Sequence, residues 1–319
     1  MASAVSTSDK DIAKAIESMK KKIDKLVIQQ GEGKEGIFPG EVTNGQVHVP
    51  PDKEMPMHSI NLPFQGKPSW ITGIAILPSG KVILIDHSNE VVTVFGPSLN
   101  CLRTRHIYPA PYDVASISST RDHVMMTIPD SQELLNCEVL ENGNVLLGKR
   151  LKTSIACKAI ASDERYVAVC SESDLEIFET DGKSWMMVLD ESYTSAKFSY
   201  IAMTSAEKKV FITDHNNSNP HIKCIDFHGT ALWKVADGQI RVCTGISVLG
   251  TQLLVASWDS GKMFTLSSQG DSLKTFSKNT IAFPWKLLTS TSQKMICVSQ
   301  HKNVLSEEDK RIIKVFYLV

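Results

Sequence analysis

The sequence predicts an all-β fold: a six-bladed β-propeller preceded by a short helix and a linker. Three observations predict it. From Gly73 the chain reads Gly-Ile-Ala-Ile-Leu-Pro-Ser-Gly-Lys-Val-Ile-Leu-Ile-Asp-His-Ser-Asn-Glu-Val-Val-Thr-Val-Phe. This alternation of apolar runs and turns is that of an antiparallel meander. Weaker versions follow, with the turn between their first two strands near Gly80, Asp122, Asp163, Lys208, Gly250 and Gln293, in steps of 42, 41, 45, 42 and 43 residues. Repeats of about 40–45 residues mark propeller blades, each too thin to bury its own faces. Finally, Asn142-Gly143, Asp181-Gly182, His228-Gly229 and Gln269-Gly270 fall before the outer strands, with Gly96-Pro97 in the first copy. Such dipeptides supply the positive φ that tight hairpins need.

The elements before the repeats follow from composition. Ile12, Ile16, Met19, Ile23 and Leu26 are spaced 4, 3, 4 and 3 residues apart, as in a heptad seam. Ser8 with Asp11 resembles a capping box, and Gln30-Gly31 ends the helix. Two expectations stand for residues 1–30: the end of a coiled coil that forms a homodimer through residues 10–28, or an amphipathic helix docked on its own chain. Residues 31–56 hold five Gly and four Pro and read as a flexible linker. Their Gly31-Glu32-Gly33-Lys34-Glu35-Gly36 matches a phosphate-loop pattern by letter, but no strand precedes it and Pro39 follows it.

The propeller is expected over 57–319. Its last copy ends at Lys314-Val315-Phe316-Tyr317-Leu318-Val319, one outer strand short. Residues 57–63 have strand character and no blade of their own, so they are expected to complete blade six. Deleting them should cost cooperative folding, whereas deleting 1–50 should not.

The totals exclude some classes. The chain of 319 residues is 42% apolar and 22% charged, with net charge −1. That balance argues against a broad nucleic-acid footprint. No apolar run approaches the ~20 residues that cross a bilayer, and the first residues lack a signal-peptide core. No membrane association is expected. Seven cysteines without paired spacing fit a reducing, cytoplasmic setting.

Gly73-Ile74-Ala75, Pro78-Ser79-Gly80, Ile85-Asp86, Asn89 and Val94-Phe95 resemble the NHL repeat, with partial versions at Val210–Asp214 and Thr244–Asp259. Helix, linker and six blades together look like the C-terminal half of a tripartite-motif NHL protein. Full-length members of that family carry a RING finger and B-boxes. Here no Cys precedes Cys101 and no Cys-x-x-Cys occurs, so ubiquitin-ligase chemistry does not carry over. The loop at Asp214–Pro220 and the acidic Ser306-Glu307-Glu308-Asp309 stretch depart from the repeat.

Enzyme chemistry finds little support in the residues. A metal-dependent hydrolase of the six-bladed type needs several oxygen ligands facing the channel. The inner strands offer Thr72, Val114, Ser116, Ala159, Ala161, Ala202, Ser247 and Leu287, with Asp113 the one acid among them. Asp86, Asp130, Asp214 and Asp259 fall at the turn after the second strand, where Asp commonly bonds its own backbone. The expectation is no enzyme, no metal and no cofactor.

Binding is therefore expected on one face, where the loops entering the inner strands and those after the second strands meet. The candidates are Trp70, Tyr112, Lys158, Tyr200, Arg241 and Trp285 from the first set, with His87, His215 and Trp258 from the second. Aromatic residues and Arg dominate binding hot spots. The same aromatics also suit packing between blades, and that alternative stands beside the first. The expected partner is a protein or peptide; the alternative is single-stranded RNA on Arg241, Lys158, Lys302, Tyr112 and Trp285.

Overall fold

The computed structural model describes residues 41–43, 46–48, 55–63, 67–163, 165–172, 174–180, 185–188, 198–214, 220–240, 242–276, 281–301 and 312–318. Two compact units divide the chain, residues 1–38 and 39–319, and the described residues all belong to the second. The expected helix and its dimer lie outside them.

Six four-stranded antiparallel sheets follow one another in sequence, and together they form a six-bladed β-propeller. In blade one the strands are Ile71–Ile76, Val82–Asp86, Val91–Phe95 and Cys101–His106, from the hub outward. Blade two begins at Val114–Ser116, blade three at Ala159–Ser162, blade four at Phe198–Thr204, blade five at Cys243–Leu249 and blade six at Pro284–Ser290. The second and third strands of blade one are buried at every residue, whereas its outer strand is mostly exposed. A blade sandwiched between two others buries both faces, so its middle strands are apolar throughout.

The core is accordingly divided among the blade interfaces. Ile83, Ile85, Val92 and Val94 turn toward blade two and pack with Val124, Met126 and Leu135. Their neighbours Val82, Leu84 and Phe95 turn the other way, onto Cys297, Ile313 and Val315 of blade six. This is the two-residue period of a strand, read out on two different partners.

Blade six takes its outer strand from the start of the ring. Met57–Asn61 pairs antiparallel with Ile312–Tyr317, Ile60 opposite Ile313, and the Ile60 side chain is 2% exposed. Two bonds carry blade six across to blade one. Ser299 Oγ donates to the Ile71 carbonyl (3.1 Å) and Gln293 Nε2 to the Pro78 carbonyl (2.7 Å). Similar ties join other blades: Lys81 Nζ and Ser79 Oγ both donate to Asp122 Oδ2, at 2.7 and 2.6 Å.

One departure falls in the stretch read as a linker. Glu41–Thr43 and Gln46–His48 pair as a short hairpin, and Met55 is buried among Leu249, Phe276 and Leu287. By sequence the two residues between them are Asn44-Gly45, a dipeptide that favours tight turns and that a count of glycines and prolines passes over.

Candidate functional site at the mouth of the channel

The site is built from the inner strands upward. In three blades a backbone N–H near the hub donates to a hydroxyl on the second strand. Asp113 N donates to Thr127 Oγ1 (2.9 Å), Tyr200 N to Thr213 Oγ1 (3.2 Å) and Lys286 N to Ser299 Oγ (3.0 Å). Asp113, Tyr200 and Lys286 therefore hold equivalent places in blades two, four and six. By register, Gly73 and Gly245 hold that place in blades one and five. A Cβ on Gly73 would sit 3.0 Å from the Asp113 Cα, and one on Gly245 2.7 Å from the Leu287 Cβ. Glycine is what lets the next blade approach so closely.

The bare position in blade one lies between Lys286 and Asp113. Lys286 Nζ reaches past it to Asp113 Oδ2 at 2.6 Å, joining residues 173 apart in sequence. Both are buried, Asp113 at 0% and Lys286 at 4% exposure. Asp113 also accepts from Val114 N (2.9 Å) and Ile160 N (3.1 Å). Burial pushes its carboxyl up; Lys286 and the two backbone N–H groups pull it down. The ammonium also lies 4.8 Å from the centre of the Tyr200 ring, a cation–π contact. Lys286 borders a cavity of about 210 Å³ along the channel, where Ser116, Ser162, Ser247 and Thr289 bring hydroxyls.

Above this pair the aromatic side chains form one connected set. Trp70 stands 5.5 Å from His87, 5.8 Å from Tyr112 and 6.4 Å from Trp285, centre to centre. Trp285 continues it to His301 (4.4 Å) and Tyr200 (5.8 Å), and Trp258 joins through His301 (6.3 Å) and Phe283 (4.9 Å). Local bonds fix the rings. Asp86 Oδ1 accepts from Trp70 N (3.0 Å), while Oδ2 accepts from Asn89 Nδ2 (2.8 Å). His87 Nδ1–H donates to the Pro111 carbonyl (3.1 Å).

The candidate residues thus separate. Trp70, His87, Tyr112, Trp258 and Trp285 come together half-buried at the mouth, each ring packing on a neighbour. Tyr200 does not reach the surface: at 2% exposure it is the floor beneath Trp285. Burial, then Tyr112 and Asp113, drive its phenol well up. The nearby Trp285 N–H lowers it somewhat without meeting hydrogen-bond geometry. Lys158 is half-buried and paired with Glu172 at 2.6 Å. Arg241, His215 and Lys302 lie outside the described residues. The residues missed in the sequence are Lys286 and Phe283 as ring partners, although a lysine in the apolar run Pro284–Leu288 is itself a sign of a buried partner.

Of the four turn aspartates, Asp86 and Asp259 bond locally, Asp259 Oδ1 accepting from Ser257 Oγ (2.8 Å) and Ser260 N (2.9 Å). Asp214 stands 3.8 Å from His221. Among the described residues no three His, Cys, Asp or Glu side chains gather into a metal-binding group.

The seven cysteines are free thiols, and Cys101 alone is exposed. Burial pushes Cys137, Cys157, Cys224 and Cys297 up to about 12. Thiols held protonated and buried do not react. One fast-reacting thiol is therefore expected in the native protein and seven in guanidinium, counted with an aromatic disulfide reagent. A second fast thiol would refute this placement.

The described architecture is that of the six-bladed β-propellers. No protein-family model and no curated protein matches the chain. Among solved structures it is similar to virginiamycin B lyase from Staphylococcus aureus, with TM-score 0.59, 13% identity, and 83% of this chain and 100% of that one covered. It is also similar to Kuenenia stuttgartiensis hydrazine synthase (0.56, 9% identity, 74% and 75% covered). A streptogramin B lyase gives 0.55 at 11% identity, with 83% and 98% covered. At these identities the likeness is one of fold. No helix among the described residues is long and apolar enough to cross a membrane.

Proposed function

We propose that this chain is a non-enzymatic recognition module, akin to the NHL propellers of tripartite-motif proteins, that binds a segment of a partner protein across the mouth of its channel. One observation carries this reading. Blades one, two, five and six each send half-buried aromatic side chains to one connected patch, over a hub sealed by a neutralised ion pair. Partly exposed Trp and Tyr on a rigid base are the residues that anchor protein interfaces. The RNA alternative gains less: Lys158 is held by Glu172 and Lys286 is buried against Asp113. The likeness to lyases supports the fold and carries no chemistry with it.

Peptides selected on the full chain from a random display library test the reading. Their binding is expected to fall by about thirtyfold or more with Trp285→Ala or Trp258→Ala, the ~2 kcal/mol of a hot spot. The unfolding midpoint is checked in parallel. Selected peptides indifferent to both substitutions would place recognition on another surface.

A further inference from the structure

The loops around the aromatic mouth share a charge. Each loop after a second strand that the structure describes carries an exposed carboxylate: Glu90 in blade one, Asp130 in blade two, Glu172 in blade three and Asp259 in blade five. The described residues of these four loops include no Lys or Arg. Residues 215–219 and 302–311, which lie outside the described residues, carry no net charge by sequence. On the loops that enter the inner strands, the described cations are Lys67 and Lys158, and Lys158 is already held by Glu172.

A second observation lies inside the ring of acids. Among the described residues the buried indole N–H groups of Trp258 and Trp285 meet no acceptor. Buried donors in folded proteins are normally satisfied, so two at one mouth call for acceptors from outside. A peptide backbone brings carbonyl acceptors. Its side chains then have to suit the carboxylates at the rim.

From this juxtaposition we propose that the partner is a basic segment, an extended stretch bearing lysine or arginine. Its backbone crosses the Trp258–Trp285 patch while its cations reach Glu90, Asp130, Glu172 and Asp259. The inference rests on the recognition reading and narrows it to one chemical class. Trp and Tyr rings favour the same choice, since Lys and Arg stems pack on their faces and the charged heads gain cation–π attraction.

The test uses the full chain and four labelled probes, followed by fluorescence anisotropy. They are peptides of alternating glycine and lysine, glycine and glutamate, and glycine and serine, and an oligouridylate. The lysine peptide is expected to bind best. A variant combining Glu90→Gln, Asp130→Asn, Glu172→Gln and Asp259→Asn should weaken it about tenfold or more, as four exposed ion pairs are removed. Trp285→Ala should also weaken it, and added salt should reduce binding to the native chain more than to the four-fold variant. Serine or glutamate peptides binding as well as lysine, with the Trp285 dependence kept, would overturn the basic preference and leave recognition standing. So would lysine binding indifferent to the four substitutions. Oligouridylate binding alone would overturn both readings, and no binding by any probe would count against the basic-segment assignment.

Discussion

Lys286→Met is expected to destabilise the propeller by about 3–5 kcal/mol, the usual consequence of leaving a buried charge without its partner. Asp113 is fully buried, and its remaining partners are the backbone N–H groups of Val114 and Ile160. The sign of the pH dependence follows. Without Lys286, burial dominates and holds the Asp113 carboxyl above its ordinary 3.8. A carboxyl raised in the fold binds its proton more tightly there than in the unfolded chain. Stability in the variant should therefore rise as pH falls toward 3.8, and be lost as pH climbs through the raised value. Adding Asp113→Asn to Lys286→Met should restore much of the loss, because a neutral amide still accepts from a backbone N–H. Guanidinium unfolding of the three variants across pH measures all of this. A single variant within ~1 kcal/mol of the parent at neutral pH would show that the pair adds nothing.

Removing residues 57–63 is expected to have the larger effect, abolishing the cooperative transition altogether. The deletion strips five ladder partners from Ile312–Tyr317 and uncovers Ile313, Val315 and Phe316, all now at most 1% exposed. It also takes Ile60 out of the interface with Val82, Leu84 and Phe95 of blade one. A naked apolar strand edge at the seam invites association, and the loss should exceed ~5 kcal/mol, comparable to a domain's entire net stability. The milder Ile60→Ala should cost about 2–5 kcal/mol while keeping one transition. Size-exclusion chromatography and denaturation distinguish the outcomes. A monodisperse deletion variant with an unchanged transition would show that this strand does not hold the ring.

Much of the fold was legible because its repeating unit is punctuated by backbone need. Gly80, Gly143, Gly229 and Gly270 all sit at φ between 77 and 86°, where other residues are strained, so the turns announce themselves in the sequence. The apolar middle strands between them need no long-range knowledge either. The aromatic mouth was partly legible: propeller geometry puts Trp70, Tyr112, Trp258 and Trp285 on one face once the strands are placed. Their separation into rim and floor was not, because the depth of Tyr200 depends on Trp285 lying over it. Lys286 with Asp113 was hidden for a plainer reason. Blades two and six are not neighbours, and the pair meets only across blade one, where Gly73 lets the blade-two backbone approach closely. No local pattern encodes that vacancy at the hub.

The seam in blade six also sets a timetable. Ser59 and Lys314, which meet across it, are 255 residues apart. At ribosomal speeds of roughly 5–20 residues per second, the first half of the seam emerges about 13–50 s before the second. Throughout that interval the nascent chain carries finished blades with open flanks, so its demand on holding chaperones should peak late in translation. Messages cut short within the last blade should yield a product cleared by proteolysis, even though most of the sheets are already made.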